Sequence, residues 1–153
     1  MRATVREMGE VKYITALDQE HHLSLDSWHQ EYPNAKLIGP DTLAPKREKS
    51  GNPLPFAYLF KAASKDSMTI DPDFDREFDY EYVEAHVNKE IVFCHKPTKT
   101  LIQADFLFNL PANEQMSKTG ESSQSGWLTK LFVGMNNTRG DACLLYTSPS
   151  PRD

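Results

Sequence analysis

The chain has little of what would carry it out of a reducing, aqueous setting. Two cysteines occur in all, and Cys143 falls in a terminal stretch set apart below. Cys94 is then alone, which excludes an internal disulfide and favours a cytoplasmic, intracellular location. No run approaches the ~20 apolar residues that a helical membrane span needs. The opening Met1-Arg2-Ala3-Thr4-Val5-Arg6-Glu7-Met8-Gly9 lacks the apolar core of a signal peptide and reads as a short amphipathic helix ending at Gly9. Charge of positive sign is also scarce, 17 Lys+Arg against 22 Asp+Glu for a net −5. With no basic stripe, the electrostatic footprint of a nucleic-acid binder is missing. What remains, 39% hydrophobic and 25% charged over 153 residues, is the composition of one soluble globular domain or part of one.

The C-terminal end is unlike the rest. Cys143-Leu144-Leu145-Tyr146-Thr147-Ser148-Pro149-Ser150-Pro151-Arg152-Asp153 reads as the one-frame translation of a sequencing-library adapter, and residues 143–153 are excluded from fold reasoning. The expected natural segment is 1–142, with the parent protein continuing past Ala142.

Along that segment, Val11-Lys12-Tyr13-Ile14-Thr15-Ala16-Leu17 is rich in β-branched and aromatic residues and predicts a buried strand. An acidic, His-rich turn follows. Ser24 is placed as the N-cap of a helix with Asp26 in its first turn, Leu23 and Trp28 as a hydrophobic staple, and Pro33 as its stop. Ala35-Lys36-Leu37-Ile38-Gly39 predicts a second strand, completing a strand–helix–strand unit with a parallel pair. Residues 42–55, full of Pro, Gly, Lys and Asn, read as a long surface loop. Further strands are expected at 55–60, 78–83, 90–94 and 100–104, the last two as an antiparallel hairpin. After the Asn109-Leu110-Pro111 break, a polar linker from 117 to 125 leads into a helix at 127–133 that stops near Gly134.

Three short stretches carry the chemistry. Asp18-Gln19-Glu20-His21-His22, Ala85-His86 and Ala104-Asp105 each end an apolar run, so each lands at the rim of a sheet. Imidazole nitrogen and carboxylate oxygen are the usual ligands of Zn²⁺ and Fe. Each residue also has a plainer reading: His21 and His22 as a structural turn, Asp18 and Glu20 as solvated carboxylates, His86 as a buried His bonded to backbone. Asp105, at the end of an apolar strand, asks for a partner. His29 and His95 read as surface residues, Cys94 as a small core residue, and the acidic run 71–81 as a solvated edge without calcium-loop spacing.

A strand running into an acidic/His cluster at a helix start resembles the first metal motif of the metallo-β-lactamase superfamily, His-x-His-x-Asp-His. His86 before a hairpin and Asp105 at the end of its second strand resemble that fold's next two ligand positions. Residues 11–40 and 82–111 more closely resemble an uncharacterised branch of the superfamily, a domain of unknown function found largely in fungi and bacteria. The Glu20-His21-His22 turn, Tyr32-Pro33-Asn34-Ala35-Lys36 and Thr100-Leu101-Ile102-Gln103-Ala104-Asp105-Phe106-Leu107-Phe108-Asn109 carry that likeness, and Asn136-Asn137-Thr138-Arg139-Gly140-Asp141-Ala142 continues it.

The resemblance implies an α/β fold, a metallo-β-lactamase-like αββα sandwich truncated at both ends. A strand pair before residue 1 and a further His beyond the C-terminus are the parts it implies to be missing. It implies two divalent metals (Zn, Fe or Mn) roughly 3.5–4 Å apart sharing a carboxylate and an activated water. Asp105 takes the bridging place, with His22, His86 and Glu20 or Asp18 as the other ligands and His21 as the orienting or acid-catalytic residue. The chain departs from the pattern in its shorter, more acidic first motif. An acidic ligand there occurs in the diiron flavoprotein branch of the fold and favours a harder metal. The function expected is a metal-dependent hydrolase acting on a small molecule, an ester or a phosphodiester. A non-catalytic binding or interaction module is the alternative, and an iron redox site a third.

Overall fold

A computed structural model describes residues 2–108 and 110–136. The continuation of the resemblance through 137–142, the adapter-like stretch 143–153 and Asn109 of the expected break lie outside the described residues. The chain divides into two compact units, Met1–Phe106 and Leu107–Asp153.

The first unit is mixed α/β. It runs α1 (Arg2–Met8), β1 (Tyr13–Thr15), α2 (Leu25–Glu31), β2 (Lys36–Pro40), α3 (Leu43–Lys49) and β3 (Phe56–Phe60). A 3-10 turn (Ala62–Ser67), α4 (Pro72–Glu77), β4 (Phe78–Val83), β5 (Glu90–His95) and β6 (Thr100–Ile102) complete it. β1, β2 and β3 form a parallel sheet in that order, with β1 and β2 paired in parallel as the strand–helix–strand pattern predicts. β4, β5 and β6 form an antiparallel sheet, β5 and β6 being the expected hairpin.

β2 is the central parallel strand, and its run Leu37-Ile38-Gly39-Pro40 is buried, as a strand covered on both faces requires. Gly39 is needed there: a Cβ at that position would stand 2.9 Å from Cε1 of Phe56 on β3. Ile38 and Phe60 share one core with Tyr82, Ile91 and Phe93 of the antiparallel sheet and Phe74 of α4. Ala16, Leu25 and Leu43 form a second core with Ile14 and Phe56. Along β1 and its continuation, Tyr13 and Leu17 thus serve the first core while Ile14 and Ala16 serve the second. This two-residue alternation puts the helices α2 and α3 on one side of the parallel sheet.

Several elements differ from expectation. Residues 42–55 are not a loop, since α3 occupies Leu43–Lys49. Its inward stripe is Leu43 and, one turn on, Arg47, both buried; a stripe with a single aliphatic residue leaves no helical hydrophobic period to read. Pro45 sits in the first turn, where a missing N–H costs nothing. The acidic run is likewise not merely an edge. Asp71 caps α4, accepting the Phe74 N–H at 3.1 Å, with Pro72 following at the first helical position. Asp71 also bonds the Tyr13 hydroxyl and Lys36 Nζ. These donors hold its carboxyl well below the usual aspartate range, the Tyr13 bond first. Leu23 is 84% exposed and forms no staple, and the Ser24 side chain makes no capping bond. Cys94 is half-buried.

The second unit contains α5 (Asn113–Met116) and α6 (Trp127–Asn136). The helix expected at 127–133 therefore runs on through Gly134. Trp127, Leu128, Leu131 and Phe132 on it are exposed.

Candidate metal centre

Beyond β1 the chain leaves its parallel partner and crosses to the start of β5. Leu17 O accepts the Ile91 N–H at 2.7 Å, and Gln19 N–H donates to Asn88 O at 3.0 Å. The residue between them, Asp18, is thereby carried into a fully buried position. An isolated buried carboxylate is costly, and the turn supplies its partners. Oδ1 accepts the backbone N–H groups of Glu20 at 2.8 Å and His21 at 2.7 Å, and Oδ2 lies 2.7 Å from His21 Nδ1. Burial pushes the Asp18 carboxyl up, but the His21 N–H and imidazole and the Glu20 N–H together bring it below its usual value. A carboxylate only accepts, so the proton between the two side chains belongs to His21 Nδ1.

Asp105 reaches the same corner from beyond β6. Its Oδ2 is 3.9 Å from His21 Nδ1 and accepts a hydrogen bond from Asn88 Nδ2 at 2.7 Å. The backbone there is held by Glu90, the first residue of β5 and fully buried. Glu90 Oε1 accepts the Ala104 N–H at 2.6 Å, and its Oε2 accepts the Asp105 N–H at 2.9 Å. His21 is raised above its ordinary imidazole value, first by the hydrogen bond to Asp18. Partial burial opposes that, and the charges of Asp18, Asp105 and Glu90 add to it.

Among the described residues, Asp18, His21 and Asp105 are the grouping whose ligand atoms all lie within 4.8 Å of one another. The other expected ligands are directed elsewhere. Glu20 pairs with Lys46 Nζ at 2.8 Å. His22 Nδ1 accepts from Arg47 Nη1 at 3.0 Å, and burial together with the Lys46 and Arg47 charges depresses its pKa. His86 Nδ1 accepts the Asn88 N–H at 3.3 Å and stands 3.8 Å from Glu90 Oε2. Guanidinium and ammonium groups on His22 and Glu20 occupy the donors a second cation would need. The set that converges, one imidazole and two carboxylates, is suited in number and chemistry to one borderline or hard divalent ion.

His29 and His95, expected at the surface, are half-buried. Sequence reasoning passed over Glu90, Asn88, Lys46 and Arg47. The signal for Glu90 was a carboxylate opening the apolar run Ile91-Val92-Phe93, which a buried strand tolerates only with donors at hand. No protein-family model, curated protein or solved structure matches the chain.

Proposed function

We propose that the chain is a metal-dependent hydrolase-like protein of the metallo-β-lactamase-like αββα type, in which Asp18, His21 and Asp105 hold one divalent cation, Zn, Mn or Fe. The observation that carries this reading is the convergence of those three donor groups within 4.8 Å. It is supported by the order in which turn, hairpin and post-hairpin Asp follow one another. A cation in such a set supplies Lewis acidity and lowers the pKa of water toward neutrality. Glu90 and Asn88 fix Asp105, and the Glu20 and His21 N–H groups fix Asp18, so the donors are pre-positioned. His21 must release its Nδ1 proton for that nitrogen to ligate, so metal uptake competes with protons. Uptake is expected to weaken as pH falls through the raised His21 pKa.

A binding module without catalysis is favoured by a different observation: two backbone N–H groups and the His21 imidazole together satisfy the Asp18 carboxylate. Elemental mass spectrometry after equilibration with Zn²⁺, Mn²⁺ or Fe²⁺ separates the two. Near-stoichiometric metal, with affinity lowered more than about tenfold in Asp105→Asn, is the expected result. No metal in a folded protein overturns the hydrolase reading and leaves the module.

A further inference from the structure

An open cavity of about 540 Å³ shares His21 with the candidate centre. α1 and α2 flank it, tied by the ion pair of Arg6 with Glu31. Its walls are largely apolar, with Val5 from α1, Val11 ahead of β1, Ile14 in β1, and Leu25 and Trp28 from α2. The hydroxyl-bearing Tyr13, Thr15 and Ser24 interrupt them. Leu23, 84% exposed, also lines it. No Lys or Arg is among the described residues lining the cavity, and Glu20 is an acidic one. A phosphate or carboxylate group seated here would lose its hydration against largely apolar walls, and the charged groups at its edge are already paired, Glu20 with Lys46 and His21 with Asp18. A neutral ligand with an aryl or alkyl body meets no such penalty and gains from burying its apolar surface.

We infer that this cavity seats the apolar body of a neutral carboxylic ester, placing its acyl carbon at the His21 corner, and that phosphate esters are not its ligands. The reaction assigned to the centre rests on the cation reading above; the preference of the cavity for a neutral ligand does not. Hydrolysis breaks the acyl C–O bond and joins the oxygen of water to the acyl carbon. One proton of that water passes to the leaving alkoxide, so acid and alcohol balance the reaction without a redox partner.

Phenyl butyrate and phenyl phosphate share a ring and differ in charge, which makes them a matched pair of probes. The chain has two tryptophans, and Trp127→Phe in the full chain leaves Trp28 as a fluorophore in the cavity wall. In cation-free protein, phenyl butyrate is expected to change Trp28 emission saturably and to bind at least tenfold more tightly than phenyl phosphate. Leu23→Asp, at an exposed position that spares the core, should weaken the ester at least tenfold. Equal or tighter binding of phenyl phosphate, absence of saturable ester binding, or indifference to Leu23→Asp each overturns the inference. Elemental mass spectrometry on the same protein tests the cation separately. Ester binding without metal sinks the hydrolase reading and keeps the neutral-ligand cavity, whereas metal without ester binding does the reverse.

Discussion

Two adjacent imidazoles lie in opposite surroundings. His21 faces the carboxylates of Asp18 and Asp105, with Glu90 behind them, and its pKa rises. His22 faces Arg47 and Lys46, and its pKa falls, burial being the largest cause. Arginine only donates, so His22 Nδ1 must accept, whereas His21 Nδ1 must donate to Asp18. Nothing in the dipeptide distinguishes the two rings. The difference comes from what folds against each: the start of β5 and the segment beyond β6 on one side, α3 on the other. The protonation of each histidine is thus decided by its burial and by the charges that fold against it rather than by the motif it sits in.

The contrast is broken most severely from the acidic side. Glu90→Ala strips the acceptors from two backbone N–H groups and should destabilise the first unit by about 3 kcal/mol, read by urea denaturation. Glu90→Gln, which keeps one acceptor oxygen, should recover part of that loss. On the basic side, Arg47 is buried and bonds both Asp26 oxygens at 2.7 Å. Arg47→Met should cost about 2 kcal/mol, because Asp26 is 42% exposed and water can take over its solvation. The same variant should raise the His22 pKa, seen in NMR titration, since one of the two cations opposing its protonation is gone.

The smallest effect sharpens the contrast instead of breaking it. In the wild-type protein His21 should titrate above 6.5 and His22 below it, 6.5 being the ordinary value for both. Asp18→Asn should lower His21 and leave His22 nearly where it was. The signs for stability follow by linkage. What His21 adds is complete below pH 6.5 and is lost as pH rises through its raised folded value. His22 adds nothing above pH 6.5 and subtracts as pH falls from there through its depressed folded value. A single shared titration for the two rings would show that the opposing fields are absent.

Particular elements explain what was legible beforehand. β1, β2 and the β5–β6 hairpin announce themselves through β-branched and aromatic runs, and α2 through Asp26 in its first turn and Pro33 as its stop. α3 was hidden because Arg47 buries its stem where a helix normally shows an aliphatic residue. α4 was hidden because six residues after an Asp cap hold Phe74 as their one buried apolar position. Of the candidate centre, Asp18 and Asp105 were legible as carboxylates ending apolar runs. The choice among His21, His22 and His86 was not, since neighbouring residues in a turn point in directions that the turn's hydrogen bonds set.

By itself, then, the sequence determined the parallel pairing of β1 with β2, the hairpin, and the presence of carboxylates and imidazoles at strand ends. Hydrophobic periodicity and turn chemistry are local and survive translation into one dimension. Only the tertiary structure decided that Asp18, His21 and Asp105 meet while Glu20 and His22 turn to Lys46 and Arg47. Those partners lie 25 or 26 residues away along the chain on α3, and a charge acts on whatever the fold brings within a few ångströms of it.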